Sequence, residues 1–152
     1  MLLGAVLGRA LAAIAQTFST IDTTAADQPY AGAAAVGTSV FFAPYNEDNI
    51  GVYDTTTSTF STIDISSILT ANKKYQGAAA VGTSVIFAPH DEDNVGVYDT
   101  TTSTFSTIDI SSTADSKYLG AAAVGTSVFF APFNEDNIGV YDTTTSTFST
   151  LD

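Results

Sequence analysis

From Gly32 onward, short apolar runs alternate with short polar ones at a spacing too tight for helices. Gly32-Ala-Ala-Ala-Val36 is followed by the pair Gly37-Thr38 and then by Ser39-Val-Phe-Phe-Ala43. Glycine at the first central position of a two-residue loop predicts a type II′ hairpin between two strands. Pro44 cannot donate to a ladder and ends the second strand, and Tyr45-Asn-Glu-Asp-Asn49 reads as a polar loop. Ile50 to Asp54 is then a third strand, Thr55 to Ser58 a turn, and Thr59 to Ile65 a fourth strand. Threonine, valine, phenylalanine, isoleucine and tyrosine fill these runs, whereas leucine, glutamate and lysine are nearly absent from them. That choice of residues selects strands over helices.

The same pattern recurs three times. Gly32 to Asp64 differs from Gly120 to Asp152 at two of 33 positions, and Gly77 to Asp109 differs from the last copy at five. The tyrosines that open the copies, Tyr30, Tyr75 and Tyr118, are 45 and then 43 residues apart. Four antiparallel strands at a period in the forties are the unit of a β-propeller blade. The first strand, nearly free of side chains, suits the crowded inner position of a blade. The second, apolar at successive positions, suits a strand covered on both faces. A sandwich or a stacked β-array is the alternative, and a sandwich strand would more often alternate. The expected fold class is therefore all-β: three blades, about 30–65, 75–110 and 118–152, within a repeat domain 17–152. Thr17-Phe-Ser-Thr-Ile-Asp22 repeats the fourth strand without the other three and is expected to form an extra strand. Because propellers close with about four to eight blades, three imply a homo-oligomer or a longer array.

The run Ser84-Val-Ile-Phe-Ala-Pro-His-Asp-Glu-Asp-Asn-Val-Gly-Val-Tyr-Asp-Thr-Thr-Thr-Ser-Thr-Phe-Ser-Thr-Ile108 resembles a propeller repeat of the YVTN type. It is also similar to kelch repeats in its Val-Tyr-Asp third strand and aromatic fourth strand. It departs from kelch in having Ala-Pro for the glycine pair and Phe60, Phe105 and Phe148 for the tryptophan. The resemblance implies an extracellular or surface scaffold or interaction platform, and hence a secreted or cell-surface location.

Residues 1–16 lie outside the repeat. Met1-Leu-Leu-Gly-Ala-Val-Leu-Gly-Arg-Ala-Leu-Ala-Ala-Ile-Ala15 is apolar and interrupted by Arg9. It is too short for an ordinary transmembrane span. It reads as a short N-terminal helix against a blade, or as a secretory signal peptide with Ala13-Ile14-Ala15 at the cleavage site.

Charge narrows the partners. With 16 acids against 4 bases, the net charge of -12 disfavours nucleic acid and anionic lipid surfaces. The absence of cysteine excludes disulfides and thiolate metal sites. The candidate chemistry lies in the loops that follow the second strands. Glu47 and Asp48, then Asp91, Glu92 and Asp93, then Glu135 and Asp136 make oxygen-rich loops that make calcium a candidate ligand. The competing reading is that Asn/Asp clusters simply build turns. Tyr45, His90 and Phe133 occupy one equivalent position beside these loops, where rings can stack on sugars or pack on the next blade. Asp54, Asp99 and Asp142 are expected to accept hydrogen bonds from their own Thr-Thr-Thr turns. Nothing in the chain supplies nucleophile, base and oxyanion donors together. The expected role is a non-catalytic scaffold acting by homo-association or protein interaction, with a glycan-binding propeller as the alternative.

Overall fold

The computed structural model describes residues 20–23 and 27–152. These fold into three four-stranded antiparallel sheets. The first blade comprises β1 (Tyr30–Val36), β2 (Ser39–Pro44), β3 (Asn49–Asp54) and β4 (Thr59–Asp64). The second comprises β5 (Tyr75–Val81), β6 (Ser84–Pro89), β7 (Asn94–Asp99) and β8 (Thr104–Asp109). The third comprises β9 (Tyr118–Val124), β10 (Ser127–Pro132), β11 (Ile138–Asp142) and β12 (Thr147–Leu151). In each blade the strands pair in chain order, so every connection within a blade is a hairpin. The expected N-terminal helix lies outside the described residues, as do residues 17–19 of the expected extra strand. Residues 20–22 of that segment belong to no sheet.

Local chemistry explains the hairpins. Gly37 has a φ of 59° whereas Thr38 stays out of the left-handed region, as the first hairpin's type II′ turn requires. The prolines end the second strands as expected, and each first strand begins earlier than expected, at the tyrosine paired with that proline. The register shifts just after each of these tyrosines, which accommodates a strand end lacking an N–H. The threonine turns close on their aspartates as expected: Asp54 Oδ1 accepts from the amides of Thr56 and Thr57 at 2.7 and 3.2 Å and from the Thr56 hydroxyl at 2.6 Å. Asp99 and Asp142 repeat this arrangement. The threonine donors hold all three carboxyls below the usual range, the side-chain bond first.

The blades stack through complementary faces. One face of the second blade carries Tyr75, Val85, Phe87 and Tyr98, which pack on Phe41, Ala43, Ile50 and Ile65 of the first. The third repeats this with Tyr118, Val128, Phe130 and Tyr141 against Ile86, Ala88, Val95 and Ile110 of the second. Residues 85–89 of β6, with a neighbour on either side, are buried throughout, as its unbroken apolar run predicts. The inner strands β1, β5 and β9 approach closely: a Cβ on Gly77 would lie 2.7 Å from the carbonyl carbon of Gly120. A side chain at Gly32 or Gly77 would collide with the backbone of the next inner strand, so glycine is required at both positions.

Candidate functional site

The loop after each second strand lies at the rim where one blade meets the next. Its first amide is held by the residue before the blade's own opening tyrosine: Tyr45 N donates to the Pro29 carbonyl at 2.9 Å, His90 N to that of Lys74 at 2.9 Å, and Phe133 N to that of Lys117 at 2.8 Å. Lys74 N in turn donates to the Tyr45 carbonyl and Lys117 N to that of His90, both at 2.9 Å. One lysine therefore ties two consecutive blades through both its backbone groups.

The lysine side chains complete the joint. Lys74 Nζ lies 2.9 Å from Asp48 Oδ1 and donates to the Ala71 carbonyl. Lys117 Nζ donates to the carbonyls of Glu92 and Asp91 at 3.0 and 3.2 Å, and Asp93 Oδ1 lies 3.3 Å away. Both side chains are fully buried. The first two loops thus each hold a buried ammonium beside a carboxylate, Lys74 at Asp48 and Lys117 at Asp93. Among the described residues no three carboxylate or imidazole groups converge as a metal cluster would require. The third loop differs. No ammonium among the described residues reaches Asp136, and Glu135 Oε1 accepts from Ser112 Oγ at 2.6 Å.

The last asparagine of each loop has a structural partner. Tyr118 OH donates to Asn137 Oδ1 at 3.0 Å, and Tyr30 and Tyr75 do the same to Asn49 and Asn94. Burial, then the charge of Glu135, pushes the Tyr118 hydroxyl up to about 12. Tyr30, beside Glu47, is also raised to about 12, again chiefly by burial. Burial likewise raises Glu92 above the ordinary carboxylate range, opposed by the Asn94 hydrogen bond and the two lysine charges. Its Oε1 is buried without a hydrogen-bond partner, while Oε2 accepts from Asn94 Nδ2 at 3.2 Å.

The three equivalent aromatic positions have unequal surroundings. His90 is buried, its ring edge-on to Tyr45 at 5.4 Å and its Nδ1 at 2.7 Å from Asp91 Oδ1 without the angle of a hydrogen bond. Tyr45 is half-buried in the same contact. Phe133, at 60% exposure, is the one open ring of the three.

The ends of the stack expose two further surfaces. On the third blade Gly120, Phe129, Ala131, Pro132 and Ile138 line an apolar hollow of about 500 Å³. Ile138 is 42% exposed there, although the equivalent Ile50 and Val95 are fully buried. On the first blade Tyr30, Phe42, Tyr53 and Phe60 line a hollow of about 310 Å³, which Ile21 and Thr23 border. Lys73-Lys74 and Lys117 lie in the segments between the repeats and are not among the candidate site residues that the sequence singles out. Three of the chain's four basic residues stand here, and that was the available signal.

No protein-family model and no curated protein matches this chain. Solved structures do. Virginiamycin B lyase from Staphylococcus aureus superposes with a TM-score of 0.65 at 13% identity over 80% of this chain and 40% of its own. A nidogen/laminin complex gives a TM-score of 0.59 at 16% identity over 81% of this chain and 48% of the matched one. The WD40 repeats of RRP9 give 0.60 at 11% identity over 79% of this chain and 36% of theirs. The chain thus spans less than half the length of each. These neighbours are β-propeller-type, and the likeness shows that architecture alone.

Proposed function

We propose that this chain is a non-catalytic propeller-type scaffold that works by association through its blade faces, with another copy of itself as the foremost partner. The observation that carries this reading is the pair of open, apolar terminal faces, whose equivalents inside the chain are packed on one another. Apolar faces of this kind left in water mark interaction surfaces. The Val-Tyr-Asp third strand and aromatic fourth strand keep a YVTN-type or kelch-like kinship within the proposal, together with a secreted or cell-surface location. Light scattering and sedimentation over a range of concentrations test it. A mass that rises with concentration is expected, and a strict monomer at ~1 mM, where even weak complexes form, would defeat it. A carbohydrate-binding role is the second reading, favoured by the open ring of Phe133 beside Asn134 and Glu135. Glycan-array binding lost in Phe133→Ala would establish it.

A further inference from the structure

We infer that two copies join head to tail, the third blade of one docking on the first blade of the other, and that the incoming β12 takes the place held in the free chain by residues 20–23. This rests on the scaffold reading above and specifies its geometry. The faces are already matched within the chain. Tyr75, Phe87, Tyr98 and Phe105 of the second blade receive Ile63 and Ile65 from the end of the first, and Tyr118, Phe130, Tyr141 and Phe148 receive Ile108 and Ile110. On the first blade the equivalent ring set is Tyr30, Phe42, Tyr53 and Phe60, and the residues bordering it are Ile21 and Thr23. These are the counterparts, in the copy Thr17 to Asp22 and the residue after it, of Ile63 and Ile65. The segment therefore takes, on the first blade, the place that a preceding blade's last residues take in the two internal joints.

It does so incompletely. Thr23 replaces an isoleucine that is buried in both internal joints, Ile21 is 47% exposed, and no other described residue fills the hollow beside them. A second copy offers Phe129, Ala131 and Ile138 where the first blade uses Phe41, Ala43 and Ile50, with Leu151 at the position of Ile63. Leu151 and Ile21 compete for one place on the ring set, so docking must displace residues 20–23.

A second residue weakens the same joint. Where the second and third blades carry Lys74 and Lys117, the first carries Pro29. Proline has no N–H to donate to the Phe133 carbonyl of the incoming copy and no ammonium for its Asp136. The joint between copies is accordingly weaker than the two within the chain, and reversible.

Three full-length variants, each checked for an unchanged melting temperature, test the inference by sedimentation equilibrium. Ile138→Asp puts a charge on the docking face and should abolish association. Pro29→Lys restores the donor and the ammonium and should tighten association about tenfold, the scale of one charge-assisted hydrogen bond. Ile21→Asp frees the ring set and should tighten it about fivefold, the scale of displacing a half-buried isoleucine. If the chain associates and Ile138→Asp abolishes this, but Ile21→Asp leaves it unchanged or weaker, the displacement is wrong while the scaffold reading stands. If association is insensitive to both Ile138→Asp and Pro29→Lys, the head-to-tail joint is wrong. If the parent chain and Pro29→Lys are both monomeric at every concentration, the scaffold reading falls with it.

Discussion

Gly32, Gly77 and Gly120 occupy one position of the repeat, and alanine at each should have different consequences. A Cβ at Gly77 would lie 2.7 and 2.8 Å from backbone atoms of Gly120 and Ala121, and one at Gly32 would lie 2.5 Å from the Gln76 carbonyl oxygen. Backbone cannot swing aside, so the inner strands must separate by most of an ångström, and overpacking of this kind costs about 1–3 kcal/mol. At Gly120 the nearest atom is the Ala131 Cβ at 3.7 Å, an ordinary contact. There alanine only restricts the unfolded chain, which stabilises by about 0.4–1 kcal/mol. For a chain of this size ~1 kcal/mol corresponds to about 2–4 °C in melting temperature. Thermal unfolding followed by circular dichroism should therefore place Gly32→Ala and Gly77→Ala several degrees below the parent and Gly120→Ala at or above it. The Gly120 Cβ would point where a following blade's inner strand must come, so Gly120→Ala should also weaken self-association while the monomer is intact. Equal melting temperatures for Gly77→Ala and Gly120→Ala would refute the close inner-strand approach. Destabilisation of Gly120→Ala at concentrations where the chain is monomeric would refute the open third face.

Other consequences follow from the loops and tyrosines. Lys117→Met leaves the carbonyls of Asp91 and Glu92 without their ammonium donor and should lower unfolding free energy by about 1–3 kcal/mol, read by urea denaturation. Millimolar calcium should leave the melting temperature unchanged, because Lys74 and Lys117 hold the first two loops. A rise lost in Asp136→Ala would instead locate a site at the third loop. Tyr30 and Tyr118 are raised to about 12 in the folded chain, so their neutral form is favoured by folding. Their contribution is present below the unfolded value near 10 and lost as pH rises through about 12, which alkaline unfolding followed at the tyrosinate absorbance should show. For Asp54, Asp99 and Asp142 the sign is opposite: the lowered carboxyls support the turns above the ordinary range and lose that role as pH falls below it.

The sequence by itself determined the strands, the hairpins and the blade. The Gly37-Thr38 turn, the Asp54 threonine turn and the stop at Pro44 depend on backbone preferences and hydrogen bonds within a few residues, so they recur wherever those residues recur. The small first strand and the apolar second strand announced inner and doubly covered positions because burial imposes volume and polarity limits on any sequence. Only the tertiary structure decided what each copy's residues touch. Ile50 and Ile138 sit in the same local sequence, yet one is fully buried under the second blade and the other faces a hollow. His90 and Phe133 share a position in the repeat, but the one packs beside Tyr45 and the other stands open. Lys74 and Lys117 lie between the repeats with no local motif around them, and only stacking carries each ammonium to the loop of the preceding blade, 25 or 26 residues back along the chain. Local patterns specify the element, but burial belongs to the neighbour, and a residue's neighbours in a repeat array depend on where in the stack its copy falls.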